Sequence, residues 1–445
     1  MSFFIIIPVY ACMIFVRLSS SEAIEIKLFS KTSYATLQKT KLMRLILLLF
    51  LNIIFAWIII WAAYGFRFQA ETEKSRNWED RWSGLVCKTG FLGKTAKFAR
   101  STHILPDSFL YGFLSVYHYS RQRYSFLNGN LSNNGFFMFF PYCFIVKTTL
   151  PMIFLIILSV WTLYVYWEKI RIDTAPISNL LYELSPYFIF VGIYFLFAIS
   201  SRINIGHRHI LPIYPSLFII SGCALSIEKG FFLKKGVRYF IFAMLAWHSV
   251  EGIRACPNYL AYFNQFIGGS KNAYKHLVDS SLDWGQDLKT LRKWLEANPD
   301  CKPKTLYLSY FGTDIPERFG ISGKILPGYN LFDHENKFFL GKGLYAISAT
   351  MLQFVYFPDI YFSETGLDPS AIDDKLYESV KGKAEKEIND FATFPTPQSK
   401  DYRIYNMLRF AKLCIYLRQK KPDAFAGYSI LIFDLNDNDI KNILE

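Results

Sequence analysis

Cysteine is scarce, at seven in 445 residues, which excludes a disulfide-built miniprotein. Cys87, Cys256, Cys301 and Cys414 are also too far apart for a CxxC zinc or redox motif. Charge is scarce as well: 19% of residues are charged, against about 25% in an ordinary soluble domain. No Walker loop, GxSxG, HExxH or GxGxxG is present, so soluble nucleotide chemistry has no support. Internal repeats and low-complexity tracts are missing too. In place of charge stand hydrophobic side chains at 52% and aromatic ones at 18%, which excludes intrinsic disorder.

The apolar residues are clustered. Leu45–Gly65, Thr148–Trp167, Leu184–Ser201 and Ile210–Ile227 are free of charge, near the roughly 20 residues needed to cross hydrocarbon. Met1–Val16 and Tyr239–Val250 are shorter and softer candidates. The second lengthens if Arg238 snorkels. The pattern predicts a polytopic α-helical membrane protein of about six spans over residues 1–254, followed by a C-terminal α/β domain over 255–445. A cleaved signal peptide fits residues 1–22 less well, because Met1–Val16 has no Lys or Arg.

Orientation follows the basic loops. Arg17–Arg44 and Glu228–Arg238 are Lys/Arg-rich and read as cytoplasmic, together with the hairpin Glu168–Glu183. The 66–135 loop, the 202–209 turn and the C-terminal domain then face outward. Disulfides are permitted there, with three complete pairings of the four outer cysteines. Cys12, Cys143 and Cys223 read as packing thiols. In the outer domain, Leu288–Ala297 and Tyr405–Arg418 have helical spacing, and 375–390 reads as a solvated helix. Thr305–Phe311, Tyr345–Ala349 and Tyr428–Phe433 read as strands. The net charge of +13 thereby reads as membrane topology plus an anion site on the outer face, and not as a nucleic-acid surface.

Four polar features can carry chemistry. The turn Arg202-Ile-Asn-Ile-Gly-His-Arg-His209 packs two Arg and two His into eight residues, and forked Arg donors suit a phosphate. The same turn can be an anchor to ordinary headgroups; His-x-His metal binding lacks a third ligand. Lys147 starts a span, where it snorkels or binds a lipid phosphate. Around Asp283-Trp-Gly-Gln-Asp287, Asp283 reads as a helix N-cap, or the carboxylates bind a sugar on which Trp284 stacks, with Gln286 beside it. Glu79-Asp80 between Trp78 and Trp82 reads as solvated loop charge. Tyr124 opens an aromatic stretch ending in Gly135-Phe-Phe-Met-Phe-Phe-Pro141, an aromatic belt. Asn130-Leu-Ser132 is a glycosylation sequon, a pattern common by chance.

Five segments occur in order: "YSFLNGNLSNNGFFMFFPYCFIVKTTLPMIFL", "SRINIGHRHILPIYPSLF", "NYLAYFNQFIGGSKNAYKHLVDSSLDWGQDLKTLRKWL", "LYLSYFGTDIPERFGI" and "GLYAISATMLQ". Over residues 43–433 the chain resembles the C-terminal part of bacterial membrane glycosyltransferases related to dolichyl-phosphate-mannose–protein mannosyltransferases, of the C-type glycosyltransferase fold. The resemblance implies an inner-membrane enzyme that moves a sugar from a polyprenyl-phosphate donor to an acceptor on the outer face, without a cofactor. It implies that Arg202, His207, Arg208 and His209, helped by Lys147, lie near the donor phosphate. Tyr124, Asp283, Trp284 and Gln286 fall in matched segments as sugar- or acceptor-side candidates.

Members of that family carry their catalytic acidic pair in an earlier outer loop that this sequence does not contain, so Glu79-Asp80 does not inherit the role and the catalytic base is unassigned. The expectations are a C-terminal part of a split enzyme, a chain completed by a second chain, or a non-catalytic relative that binds a lipid phosphate or a partner protein. A transporter is disfavoured, because the spans hold few charges near their centres.

Overall fold

The computed structural model describes residues 3–20, 23–28, 31–69, 76–121, 123–170, 176–226, 235–301, 303–328, 340–355, 374–389 and 400–444. By contact it divides into two compact units. One comprises Met1–Arg123, Leu158–Ile203 and Pro212–Lys229; the other comprises Tyr124–Ile157, Asn204–Leu211 and Gly230–Glu445.

The described residues are mostly helical. The helices are α1 (Phe3–Ser19), α2 (Gln38–Ala63), α3 (Arg76–Thr89), α4 (Phe91–Ser101), α5 (Asp107–Tyr119), α6 (Phe139–Lys147), α7 (Leu150–Ile170), α8 (Pro176–Ser200), α9 (Ile213–Ser226) and α10 (Lys235–Ala255). Each of the six apolar blocks falls on one of them. Among the described residues two helices are long and apolar enough to cross a membrane: α2, and α8 over Tyr182–Ser200. The bent pair α6–α7 makes up to three. α1 and α9 provide shorter apolar stretches, and α10 dilutes its apolar run with Lys235, Arg238, Glu251 and Arg254.

In the first unit α8 packs against both α1 and α9, and strands β1 (Ile24–Leu28) and β2 (Lys31–Ala35) form an antiparallel hairpin before α2. The 66–135 region is not an open loop. Here α3, α4 and α5 bury Trp82, Leu85, Ala96, Leu110 and Leu114 together, because each has an apolar stripe at helical spacing. Glu79 is exposed, as expected, but it is not loop charge. It lies on α3 and forms a forked ion pair with Arg100 at 2.8 Å. Arg100 also holds the buried Asp107 at 2.8 Å. Desolvating Asp107 without that partner would cost several kcal/mol, so the trio locks the three helices.

In the second unit β3 (Ser125–Leu127) and β4 (Asn130–Ser132) form a hairpin that carries the sequon. The helix α6 ends at Lys147, Thr148 turns extended at ψ 139°, and α7 restarts beside Pro151 at an angle of 109°. Proline suits a first helical turn, where its missing N–H is not needed. The break strands carbonyls at the end of α6. Asn264, fully buried, donates its amide to Ile145 O (2.6 Å) and Thr148 O (2.7 Å), and its own N–H reaches Val146 O at 2.9 Å.

The C-terminal residues form a five-stranded mixed sheet ordered β6 (Lys324–Ile325), β5 (Leu306–Ser309), β7 (Gly343–Ser348), β9 (Ile430–Leu435), β8 (Ala424–Ala426). β5 runs parallel to β6 and β7, and β9 runs antiparallel to β7 and β8. Helix α11 (Leu288–Ala297) drives Leu288 and Leu291 onto Leu306, Leu308, Leu344 and Ile432. The helical turn α12 (Ala349–Leu352) follows β7, α13 (Asp374–Asn389) packs on α14 (Lys400–Gln419), and α15 (Asp437–Leu444) closes the chain. The 375–390 stretch is less solvated than its composition suggests, since Tyr377, Val380 and Ala384 are buried. Cys12, Cys87, Cys143, Cys256, Cys301 and Cys414 are free thiols; the side chain of Cys223 lies outside the described residues.

Candidate functional site

The second unit joins the 204–211 turn to the 279–287 segment through one close approach. Gly206 lies against Ser280, where an added Cβ would sit 2.7 Å from the Ser280 Cβ and 3.2 Å from its carbonyl carbon. Next to it the His207 N–H donates to Ser281 Oγ at 3.2 Å. The Asn204 side chain accepts from the Phe136 N–H at 2.5 Å, fixing the turn to the segment before α6. Gly206→Ala is expected to lose about 1–3 kcal/mol by overpacking, and adding Ser280→Gly should restore part of it. Thermal unfolding of the single and double variants measures that coupling.

This contact sets Arg208 over the ring of Trp284, 4.8 Å from guanidinium carbon to ring centroid. Both side chains are exposed, Trp284 at 53%. Trp284 is steadied edge-on by Phe311, with centroids 6.3 Å apart. Its backbone N–H donates to Gln286 Oε1 at 2.7 Å, while Gln286 Nε2 reaches Leu282 O at 3.1 Å. An exposed guanidinium beside an exposed indole offers a charged fork and an apolar plane together. His207 is half-buried, and burial pushes its pKa down to about 3, with the Lys147 charge acting the same way; it is a neutral imidazole at physiological pH. His209 lies edge-on to Phe140 at 6.3 Å.

Lys147 is engaged otherwise than the phosphate reading implies. Its ammonium donates to Leu260 O and Ser281 O, both at 2.6 Å, and lies 4.2 Å from the Phe263 ring centroid. It ties three chain segments together. Arg202 belongs to the first unit, where it lines a cavity with Lys88, His118, Tyr119 and Arg121. Tyr124 is half-buried immediately before β3, in the hairpin segment.

The carboxylates also differ from the sequence reading. Asp287, not Asp283, holds the N-cap position of α11. Its side chain makes no cap bond and accepts instead from Ser429 Oγ (2.7 Å), Gln286 Nε2 and Thr290 Oγ1 (3.2 Å each). Asp283 is fully buried and accepts backbone N–H bonds from Gly285 and Thr350, each 3.3 Å. Desolvation pushes its pKa up to about 7 against those two bonds, helped slightly by Asp287. Burial raises Asp287 in the same direction. Asp279 sits at φ 53° and accepts from Ser280 N–H and Oγ at 2.6 and 2.9 Å. Among the described residues no group of three His, Cys, Asp or Glu side chains is placed to hold a metal.

Sequence reasoning missed Asn264, Ser281, Thr350, Ser429 and His276. The His276 Nδ1 meets both Tyr142 Oη (2.6 Å) and Asn128 Oδ1 (2.7 Å), and burial lowers its pKa. Nothing in local spacing marks these residues, since their partners are remote in the chain. No protein-family model, curated protein or solved structure matches this chain.

Proposed function

We propose that the chain is a membrane glycosyltransferase, or the C-terminal part of one, that moves a sugar from a polyprenyl-phosphate donor to an acceptor on the outer face. The observation that carries this reading is the Arg208–Trp284 stack. A guanidinium fork matches a leaving phosphate, and an indole face matches the apolar face of a sugar ring. The neutral His207 beside it can accept or donate a hydrogen bond without adding charge. We extend the proposal to six spans in a bacterial inner membrane, with the C-terminal domain outside, on the strength of the basic loops Arg17–Arg44 and Glu228–Arg238.

The second reading is a non-catalytic module that binds a lipid phosphate. It is favoured by the full burial of Asp283, which keeps that carboxyl away from any acceptor. One experiment separates the two. Sugar release from a polyprenyl-phosphate donor is measured with purified protein, alone and with a candidate second chain carrying the acidic loop. Transfer in either arm is expected, and Arg208→Ala should lower it on the order of 100-fold. Absence of turnover in both arms sinks the transferase reading. Slowed hydrogen exchange at 207–209 on adding dodecyl phosphate, lost in Arg208→Ala, would then uphold the binding module.

A further inference from the structure

The first unit contains a basic cavity of about 420 Å³. Three chain segments build it: Lys88 from α3, His118 and Tyr119 from α5 with Arg121 just beyond, and Arg202 just after α8. Among the described residues no carboxylate lines it. Among the described residues no acid pairs with Lys88, Arg121 or Arg202. Gathering four basic side chains from separate elements without an acid raises a local positive potential. The two guanidinium groups present the forked donors that fit phosphate oxygens.

A second cavity, of about 340 Å³, shares Arg121 and Arg202 with the first. Tyr117, Phe197 and Ser200 are among its walls, so the basic end leads onto an aromatic one. Phe197 and Ser200 belong to the last turn of the apolar run Tyr182–Ser200 of α8, and Arg202 follows two residues later. That places the basic end where a spanning helix leaves hydrocarbon, the level of phospholipid headgroups.

We propose that these joined cavities bind a lipid bearing a phosphate headgroup. The phosphate sits among Lys88, His118, Arg121 and Arg202, and the start of the chain lies along Tyr117 and Phe197. This rests on reading α8 as a membrane span and is independent of sugar transfer.

The test uses the full chain in an uncharged detergent with three probes: dodecyl phosphate, inorganic phosphate and dodecanol. Dodecyl phosphate should bind at least ~10-fold more tightly than inorganic phosphate, which contributes no buried chain, and dodecanol should not compete. Arg121→Gln with Arg202→Gln should weaken dodecyl phosphate at least ~10-fold, because two charge-assisted donors are removed. Hydrogen exchange should slow around 117–121 and 200–203 when dodecyl phosphate is added. Equal affinity for inorganic phosphate would replace the lipid with a free anion and overturn the proposal. So would protection confined to 207–209, which would assign the binding to the Arg208 site. If the double variant does not fold, the wild-type affinity decides: it must fall as ionic strength rises, and a salt-independent affinity overturns the phosphate contact.

Discussion

Replacing Asp283 by asparagine is expected to flatten the dependence of stability on pH. The unfolded carboxyl titrates near 3.8, and burial in the folded chain moves it to about 7. Between those values the folded state holds more protons than the unfolded one, so stability falls as pH rises through that window. It is highest below pH 3.8 and the penalty is complete above pH 7. The full span corresponds to roughly 4 kcal/mol as an upper bound. The Gly285 and Thr350 N–H groups meet different oxygens of the carboxyl, so the amide keeps one of the two bonds, turns its NH2 toward the other N–H at a cost of about 1–3 kcal/mol at every pH, and removes the proton equilibrium. Unfolding midpoints of wild type and Asp283→Asn across pH 4–8 measure the difference. A wild-type slope that survives the substitution unchanged would remove the buried-carboxyl account. Asp287, raised in the same direction, should leave a smaller slope of the same sign.

Asn264 carries the second large effect. Its amide is the donor for two carbonyls released by the break between α6 and α7. Asn264→Ala leaves both buried oxygens without that partner, at about 1–3 kcal/mol each. Asn264→Asp keeps the shape but turns an acceptor toward acceptors, so its loss should exceed that of the alanine variant. Chemical unfolding in detergent gives the comparison. An aspartate variant as stable as wild type would mean that the break is held by other bonds.

These two residues also mark where local sequence stops informing. The apolar helices are legible in the charge-free runs, because an apolar stretch of about 20 residues is too long for a strand and suits a helix. The strands at 306–309, 343–348 and 430–435 are legible from β-rich apolar runs bounded by turns. Asp283 is not, because what sets its environment comes from Thr350, 67 residues away, and from the cover of the sheet. Local spacing makes it a helix cap, yet the helix begins after Asp287. The partners of Lys147 lie 113 and 134 residues downstream, so its span-end position does not say whether it faces lipid or protein. The Arg/His turn is conspicuous as composition. Which of its members meets Trp284 depends on Gly206 fitting against Ser280, a packing fact with no periodic signature.

On the proposed reading of α2 and α8 as membrane spans, their lengths set a membrane thickness. The charge-free part of α2, Leu45–Ala63, and the apolar run of α8, Tyr182–Ser200 at 19 residues, each rise about 28 Å at 1.5 Å per residue. A bilayer with a hydrocarbon core near 30 Å receives both almost upright. A markedly thicker, sterol-rich bilayer would have to thin around them, at a fraction of a kcal/mol for each ångström of mismatch, so thin bilayers are the better host for reconstitution.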